Sequence, residues 1–347
     1  MKAAVHTWMI SHGKRRDEME QGRLKGKRVL LTGGSGFVGS HLVSHFHQAG
    51  ANVFIADQNH PRFHRIITDC IPKFSYYQAD LRNRHELAGI IEAIWPDIVV
   101  HLGAYTALEP SFESAYEGIN VDIRGTVNLL EALSVTDYER FILFSSDMVY
   151  GNIHVPPLME SLQLKAISPY AASKISAEQF TITCSEINDR PYTILRPFHL
   201  YGEGQSMKMF IPEFIRSALK GIPFSMTSGK QSRDFVYIQD ACRAVLSACI
   251  SEEAANETIN ICSGVEVSII ELAELMSELM NGAEMIPGAL EYRNNEIWNM
   301  FGSNAKAARI LEWQPEVPLL EGLTRTIAWY RNEKGGKGSG TDNEINE

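Results

Sequence analysis

Arg28-Val29-Leu30-Leu31-Thr32-Gly33-Gly34-Ser35-Gly36-Phe37-Val38-Gly39 is the stretch on which the fold turns. It begins as an apolar run short enough to be a strand, and glycines stand directly behind that run. A helical spacing of apolar residues then starts at Phe37 and continues through Leu42, Val43 and Phe46. In this strand–turn–helix setting Gly34, Gly36 and Gly39 form a GxGxxG pattern. Glycine lets the backbone turn tightly and approach a pyrophosphate, while the helix N-terminus offers free N–H donors and the positive end of its dipole. The spacing alone says little; the flanking elements give it meaning. Gly33, Gly36, Phe37, Val38 and Gly39 are therefore candidate cofactor contacts.

Working outward, Val53–Ala56 is the next apolar run, and Asp57 closes it. An acid about twenty residues beyond the glycines suits an adenosine ribose diol, and its charge repels a 2′-phosphate, so the expected cofactor is NAD. Asp80-Leu81 follows a third run, Phe74–Ala79, placed either to contact adenine or to form the turn. Further runs, Ile98–Leu102, Phe141–Phe144 and Tyr192–Leu195, alternate with helical patterns over 83–94, 111–134 and 169–187. Short, continuously apolar strands alternating with helices predict a doubly wound parallel α/β sheet covered on both faces.

After Pro197 glycine and proline become frequent, with helical stretches expected at 268–280 and 303–312. The expected organisation is an N-terminal extension over 1–24 and a dinucleotide-binding domain over 25–197 plus about 235–262. A smaller C-terminal α/β substrate domain is expected over about 198–234 plus 263–332, and a flexible tail over 333–347.

A formal net charge of -10 argues against a nucleic-acid partner, which would need a basic face. No apolar run reaches the roughly 20 residues that span a bilayer, so no membrane partner is expected. The five cysteines, Cys70, Cys184, Cys242, Cys249 and Cys262, are odd in number and lack CxxC spacing. That pattern fits a reduced, cytoplasmic protein with no metal site.

Tyr170 and Lys174 are four residues apart on a predicted helix, and so share a face. An ammonium near a phenol favours the phenolate and lowers its pKa from about 10. Such a phenolate can take a hydroxyl proton as hydride leaves the same carbon. Ser146, closing the Phe141–Phe144 strand with Ser145, is placed to hold that oxygen.

These features, together with HLGA (101–104), NVDIRGTVNLLEA (120–132), SSDMVYG (145–151), PYAASK (169–174), RPFHLYGEGQ (196–205) and RDFVYIQD (233–240), carry a resemblance. The chain resembles the extended short-chain dehydrogenase/reductases of the NAD-dependent epimerase/dehydratase family, from Gly26 to Arg331. The resemblance implies a Rossmann-type fold, NAD as cofactor with Leu102 and Ala104 beside it, a nucleoside-diphosphate sugar as ligand, and a homodimer. It also implies diphosphate contacts at Arg233 and Arg293, although the second motif reads RNNE where relatives carry RPGD. In similar 4,6-dehydratases an acidic pair follows the hydroxyl residue, the second member removing the proton at carbon 5. Here those positions are Asp147 and Met148, and a thioether exchanges no proton. A 4-epimerase needs only Tyr170 and the cofactor, so 4-epimerisation is the expected reaction. A 4,6- or 5,6-dehydratase is the alternative, with Asp147 as acid and His199, or another group, as a rearranged base. His199 stands where relatives carry Asn, close to the sugar. A sugar reductase or dehydrogenase, or a non-catalytic NAD-binding protein, ranks lower because Tyr170, Lys174 and Ser146 are all retained.

Overall fold

The structure is a computed structural model, and it describes residues 22–60, 75–106, 111–152, 155–293 and 295–335. Six strands follow in chain order: β1 (Arg28–Thr32), β2 (Asn52–Asp57), β3 (Tyr76–Gln78), β4 (Ile98–His101), β5 (Arg140–Phe144) and β6 (Tyr192–Pro197). The chain returns much later to add Glu257–Ile261 beside β6. The seven strands are parallel, ordered Glu257–Ile261, β6, β5, β4, β1, β2, β3. The chain thus winds outward from β1 to β3, then crosses back to β4. Strand order reverses between β1 and β4, which is where doubly wound sheets open a crevice for a ligand.

Adjacent residues along each strand go to opposite faces, and both faces are dry. Leu31, Ile55, Val100 and Ile142 enter one core with Leu42, Val43 and Phe46 of the helix Phe37–Gln48 and with Val245 of the helix Ile238–Ile250. Their neighbours Leu30, Ala56, Val99 and Phe141 enter a second core with Leu87 and Ile91 of the helix Arg84–Ile94 and with Leu129 and Leu133. This two-sided burial explains why the strands read as unbroken apolar runs.

Several boundaries differ from expectation. Leu24, assigned to the extension, is fully buried in the first core. The helix expected over 111–134 is three segments: Phe112–Glu117, a π-helical stretch Gly118–Arg124, and Gly125–Leu133. Three helices went unread, the largely buried Ile238–Ile250 among them. Phe210–Lys220 starts with no side-chain cap and carries Pro212 in its first turn. Leu319–Gly335 runs through the first residues assigned to the tail. Cys70, Phe74, most of the expected N-terminal extension and the tail beyond Gly335 lie outside the described residues.

The part of the chain beyond β6 is fastened to the sheet by polar groups as well as packing. Asp234 is fully buried; one carboxylate oxygen accepts from Ser263 N and Oγ at 2.6 Å each, the other from Gly264 N at 2.9 Å and Gly302 N at 3.3 Å. Its carbonyl accepts from His199 N at 2.9 Å, which fixes the strand His199–Tyr201 beside Phe235–Tyr237. Trp313, also fully buried, donates from Nε1 to the Asp240 carbonyl at 2.9 Å.

Candidate active site

Strand register brings the predicted site residues to one edge. Thr32 is level with Ala56 and His101, His101 with Leu143, and Phe144 with Leu195. The glycine turn, Asp57, Leu102 and Ser145-Ser146 therefore all emerge at the C-terminal ends of neighbouring strands.

The glycine turn is shaped by contact rather than by flexibility alone. Gly33 is left-handed (φ +67), and a Cβ there would stand 2.6 Å from Gly103 N. A Cβ on Gly39 would stand 2.5 Å from Gly34 Cα, so helix and turn touch backbone to backbone. Gly36 caps the helix Phe37–Gln48 without any side-chain bond, and no acidic residue occupies the first turn. The amides of Phe37 and Val38 thus head an uncapped, uncrowded N-terminus, the arrangement that holds a pyrophosphate. Asp57 accepts from Ser35 N and Asn59 N at 2.9 Å each, which aims its carboxylate along the same turn. Asp80 instead grips Arg82 at 2.7 Å, and that guanidinium holds its carboxyl below the usual range. Leu81 is buried, lying where a Cβ on Gly103 or Gly125 would strike it at 2.8 Å. Leu102 N donates to the Thr32 carbonyl at 3.1 Å, holding the Leu102–Ala104 segment against the turn. The residues present fit NAD.

Tyr170 lies in the first turn of the helix Pro169–Asn188, which Ser168 caps by accepting from Ala171 N at 3.2 Å. Lys174, one turn on, is buried and donates from Nζ to the Phe144 carbonyl at 2.9 Å. That bond ties the helix to the end of β5. Ser146 Oγ accepts from Met148 N at 3.2 Å and hydrogen-bonds the Tyr170 phenol. Tyr170, Ser146 and Lys174 are together, as the sequence anticipates.

The phenol's acidity departs from expectation. Burial pushes its pKa well up, the charges of Asp147 and Asp122 push the same way, and only the Ser146 hydrogen bond opposes them. Lys174 Nζ is 5.8 Å from the centroid of the Tyr170 ring, too far to offset that burial. Burial likewise lowers the pKa of Lys174, which Asp122 and then Glu178 hold up.

Asp122 and Glu178 are site residues the sequence reading passed over. Asp122 faces inward from the π-helical stretch, accepting from Tyr105 N at 2.6 Å and from the Ser173 hydroxyl. Glu178 is four residues past Lys174, a spacing that could have revealed it. It pairs with Arg196 at 2.7 and 2.9 Å under the site.

The substrate candidates divide. Asp147 Oδ1 accepts from Ser146 Oγ at 3.1 Å, while Oδ2 lies 3.1 Å from His199 Nδ1, so both residues join the cluster. Met148 is half-buried and packs into a small core with Val149 and Phe198. Arg233 is engaged by Glu296 at 2.6 Å and by the Ile297 and Ser232 carbonyls at 2.7 Å each. Arg293 is exposed and forms no ion pair among the described residues. Asn294, beside it, lies outside them. Two recesses of about 410 and 330 Å³ lie away from Tyr170, one beside His45 and Glu203, the other beside Val265 and Val317. Neither contains the cluster, whose residues meet along the open strand edge.

The profile of the NAD dependent epimerase/dehydratase family matches residues 29–262. The chain belongs to this family. It is 30% identical to the dTDP-D-glucose 4,6-dehydratase of Homo sapiens, over 88% of this chain and 90% of that one. Among solved structures, the UDP-glucose 4-epimerase of Thermotoga maritima, solved with UDP-glucose, superposes with a TM-score of 0.80 at 27% identity, covering 88% of this chain and 99% of that one. The UDP-glucuronic acid 4-epimerase of Bacillus cereus, solved with UDP-glucuronic acid and NAD, has a TM-score of 0.80 at 25% identity with the same coverage. Family membership makes the chain an NAD-dependent enzyme acting on nucleotide sugars.

Proposed function

We propose that this enzyme is a nucleotide-sugar 4-epimerase. One observation carries the reading: the Tyr170 phenol, hydrogen-bonded to Ser146 and one turn from Lys174, stands on the strand edge that bears the glycine turn, with a thioether, Met148, where a second proton-exchanging side chain would follow Asp147. Tyr170 takes the proton of the carbon-4 hydroxyl and later gives it back. Ser146 holds the same oxygen throughout. NAD, when bound, supplies the acceptor for the carbon-4 hydride and, in its oxidised form, a positive charge that favours the phenolate. Lys174 keeps the helix registered against β5 and contributes its own charge. Gly33, Gly36, Phe37, Val38, Gly39, Asp57, Leu81, Leu102 and Ala104 hold the cofactor, and Asp80 shapes its adenine end.

The ligand is a nucleoside-diphosphate sugar, as in the relatives named above. Arg233 and Arg293 take its diphosphate, Arg233 exchanging Glu296 for phosphate oxygens. The segments about 198–234 and 263–332 form the sugar side of the cleft. A cytoplasmic setting is in keeping with the free thiols of Cys184, Cys242, Cys249 and Cys262. No helix among the described residues is long and apolar enough to cross a membrane. A homodimer completes the proposal, joined through the paired helices Phe112–Glu117 and Pro169–Asn188.

The test is incubation with UDP- and dTDP-hexoses in deuterated water. The expected outcome is equilibration of carbon-4 epimers without solvent label in the ring. Tyr170→Phe is expected to slow it by roughly 10²–10⁴-fold while NAD stays bound. Loss of water with deuterium at carbon 5 would transfer the assignment to a 4,6- or 5,6-dehydratase, the reading that the Asp147–His199 contact favours.

A further inference from the structure

The recess of about 410 Å³ beside His45 and Glu203 belongs to neither the glycine turn nor the Tyr170 cluster. Its walls come from distant parts of the chain: the later turns of the helix Phe37–Gln48, the loop after Tyr201, the start of the helix Ile238–Ile250 and Trp329 of the helix Leu319–Gly335. A volume of that size holds a small organic molecule.

The hydrogen bonds around the recess decide which atoms are left for a ligand. His45 Nδ1 lies 3.0 Å from the His41 carbonyl. A carbonyl only accepts, so Nδ1 carries the proton and Nε2 keeps its lone pair. Burial lowers the pKa of His45, which leaves the ring neutral at neutral pH. His41 Nε2 likewise donates to the Glu203 carbonyl at 2.8 Å, and its Nδ1 accepts from Gln239 Nε2 at 3.2 Å. That bond engages the NH2 of Gln239 and leaves its oxygen, while Gln48 directs its own NH2 to Ser44 Oγ at 3.4 Å. The polar lining is therefore rich in acceptors.

Glu203 adds a charge. One carboxylate oxygen accepts from the Tyr237 hydroxyl at 2.6 Å, and the other is buried with no partner. An oxygen so placed carries an uncompensated desolvation penalty. Among the described residues Glu203 forms no ion pair: Arg325, over the Tyr237 ring, is held by Glu321, and Arg243 by Asp240 and Glu316. Two imidazoles beside a carboxylate resemble a metal site, but both nitrogens of His41 are engaged, and no three metal-ligating side chains converge among the described residues. The lining suits a donor-rich cation instead, and the indole of Trp329 suits the same charge.

We propose that this recess is a second binding site, separate from the sugar cleft, for a small organic cation bearing an alkylammonium group. The ammonium donates to Glu203, with His45 Nε2 and the Gln239 oxygen as further acceptors and its carbon chain against Trp329. Glu203 is only half-buried, so a turn of its side chain brings the unpartnered oxygen to the ligand.

The experiment is calorimetric titration of the NAD-loaded full chain with putrescine and with 1,4-butanediol, its uncharged counterpart. Putrescine is expected to saturate one site per chain, and butanediol to bind at least about tenfold more weakly. Saturating UDP-glucose or dTDP-glucose should leave the putrescine isotherm unchanged. Glu203→Gln, which removes the charge and keeps the shape, should weaken putrescine at least about tenfold with NAD binding intact. Trp329→Leu should weaken it several-fold. The proposal is overturned by the absence of saturable heat at millimolar putrescine, by equal binding of the diol, or by displacement with either sugar nucleotide. An unchanged putrescine affinity in Glu203→Gln also overturns it. If that variant does not fold, an unchanged affinity in Trp329→Leu does so.

Discussion

A phenol is a weak acid, and in this fold burial makes Tyr170 a weaker one. In water, an ammonium one helical turn away would favour the phenolate by its charge alone. Inside the protein the loss of hydration outweighs a cation whose Nζ is 5.8 Å from the ring centroid and already bonded to the Phe144 carbonyl. His101 shows the same physics with a clearer consequence. It is buried between the Thr32 hydroxyl at 2.6 Å and the Thr126 hydroxyl at 3.0 Å, and burial, helped by the Lys174 charge, lowers its pKa from 6.5 to about 3. Below pH 6.5 the unfolded chain takes up a proton that the folded protein refuses until about pH 3, so stability falls as pH falls through that window. The loss from this group is roughly 1.4 kcal/mol per pH unit. His101→Gln should flatten the dependence of the melting temperature on pH across that range. Parallel curves for the two proteins would contradict it.

At the scale of elements, the glycine turn works because two backbones touch. Gly39 presses on Gly34, and Gly34 is itself wedged against the Ile55 side chain, where its own Cβ would meet Cγ2 at 2.9 Å. Neither can yield without disturbing β2. Gly39→Ala should therefore weaken NAD binding at least tenfold by calorimetry. Gly89→Ala, in the helix Arg84–Ile94 with nothing within 4 Å of the added methyl, should instead stabilise by about 0.5–1 kcal/mol. Equal effects from the two substitutions would refute the contact account. The turn was legible in the sequence because the chemistry and the spacing are local. The π-helical stretch was not. NVDIRGT reads as plain helix, and only the fit against the neighbouring helix, where a Cβ on Gly118 would meet Ser173 Cβ at 3.2 Å, gives a reason for the extra residue that turns Asp122 inward. The helix Phe210–Lys220 was missed for a simpler cause: its start lacks a cap, and Ile211, Phe214 and Ile215 become an apolar face only once something packs on them.

Across the whole molecule, the helix Phe112–Glu117, the π-helical stretch after it and the helix Pro169–Asn188 turn large apolar side chains outward: Phe112 is 86% exposed and Ile187 77%, with Tyr116, Ile119 and Phe180 exposed as well. Large apolar side chains left in solvent on two neighbouring helices suit a partner surface. The wild type should sediment as a dimer at micromolar concentration, and Phe112→Glu combined with Ile187→Glu should give a folded monomer. A monomeric wild type would remove the homodimer from the proposal. Six of the seven strands, their parallel two-sided arrangement, the glycine turn and the Tyr170–Lys174 face were determined by the sequence, since each is written in residues close together along the chain; the seventh strand, Glu257–Ile261, was not. Tertiary structure alone decided the rest. It brought Asp147 to His199, set Glu296 on Arg233 and placed Asp122 beside Lys174, because charges far apart in the chain acquire partners only when the backbone closes around them. It also decided how strongly Tyr170, Lys174 and His101 hold their protons, because burial is a property of the folded surroundings and has no signature in the order of residues.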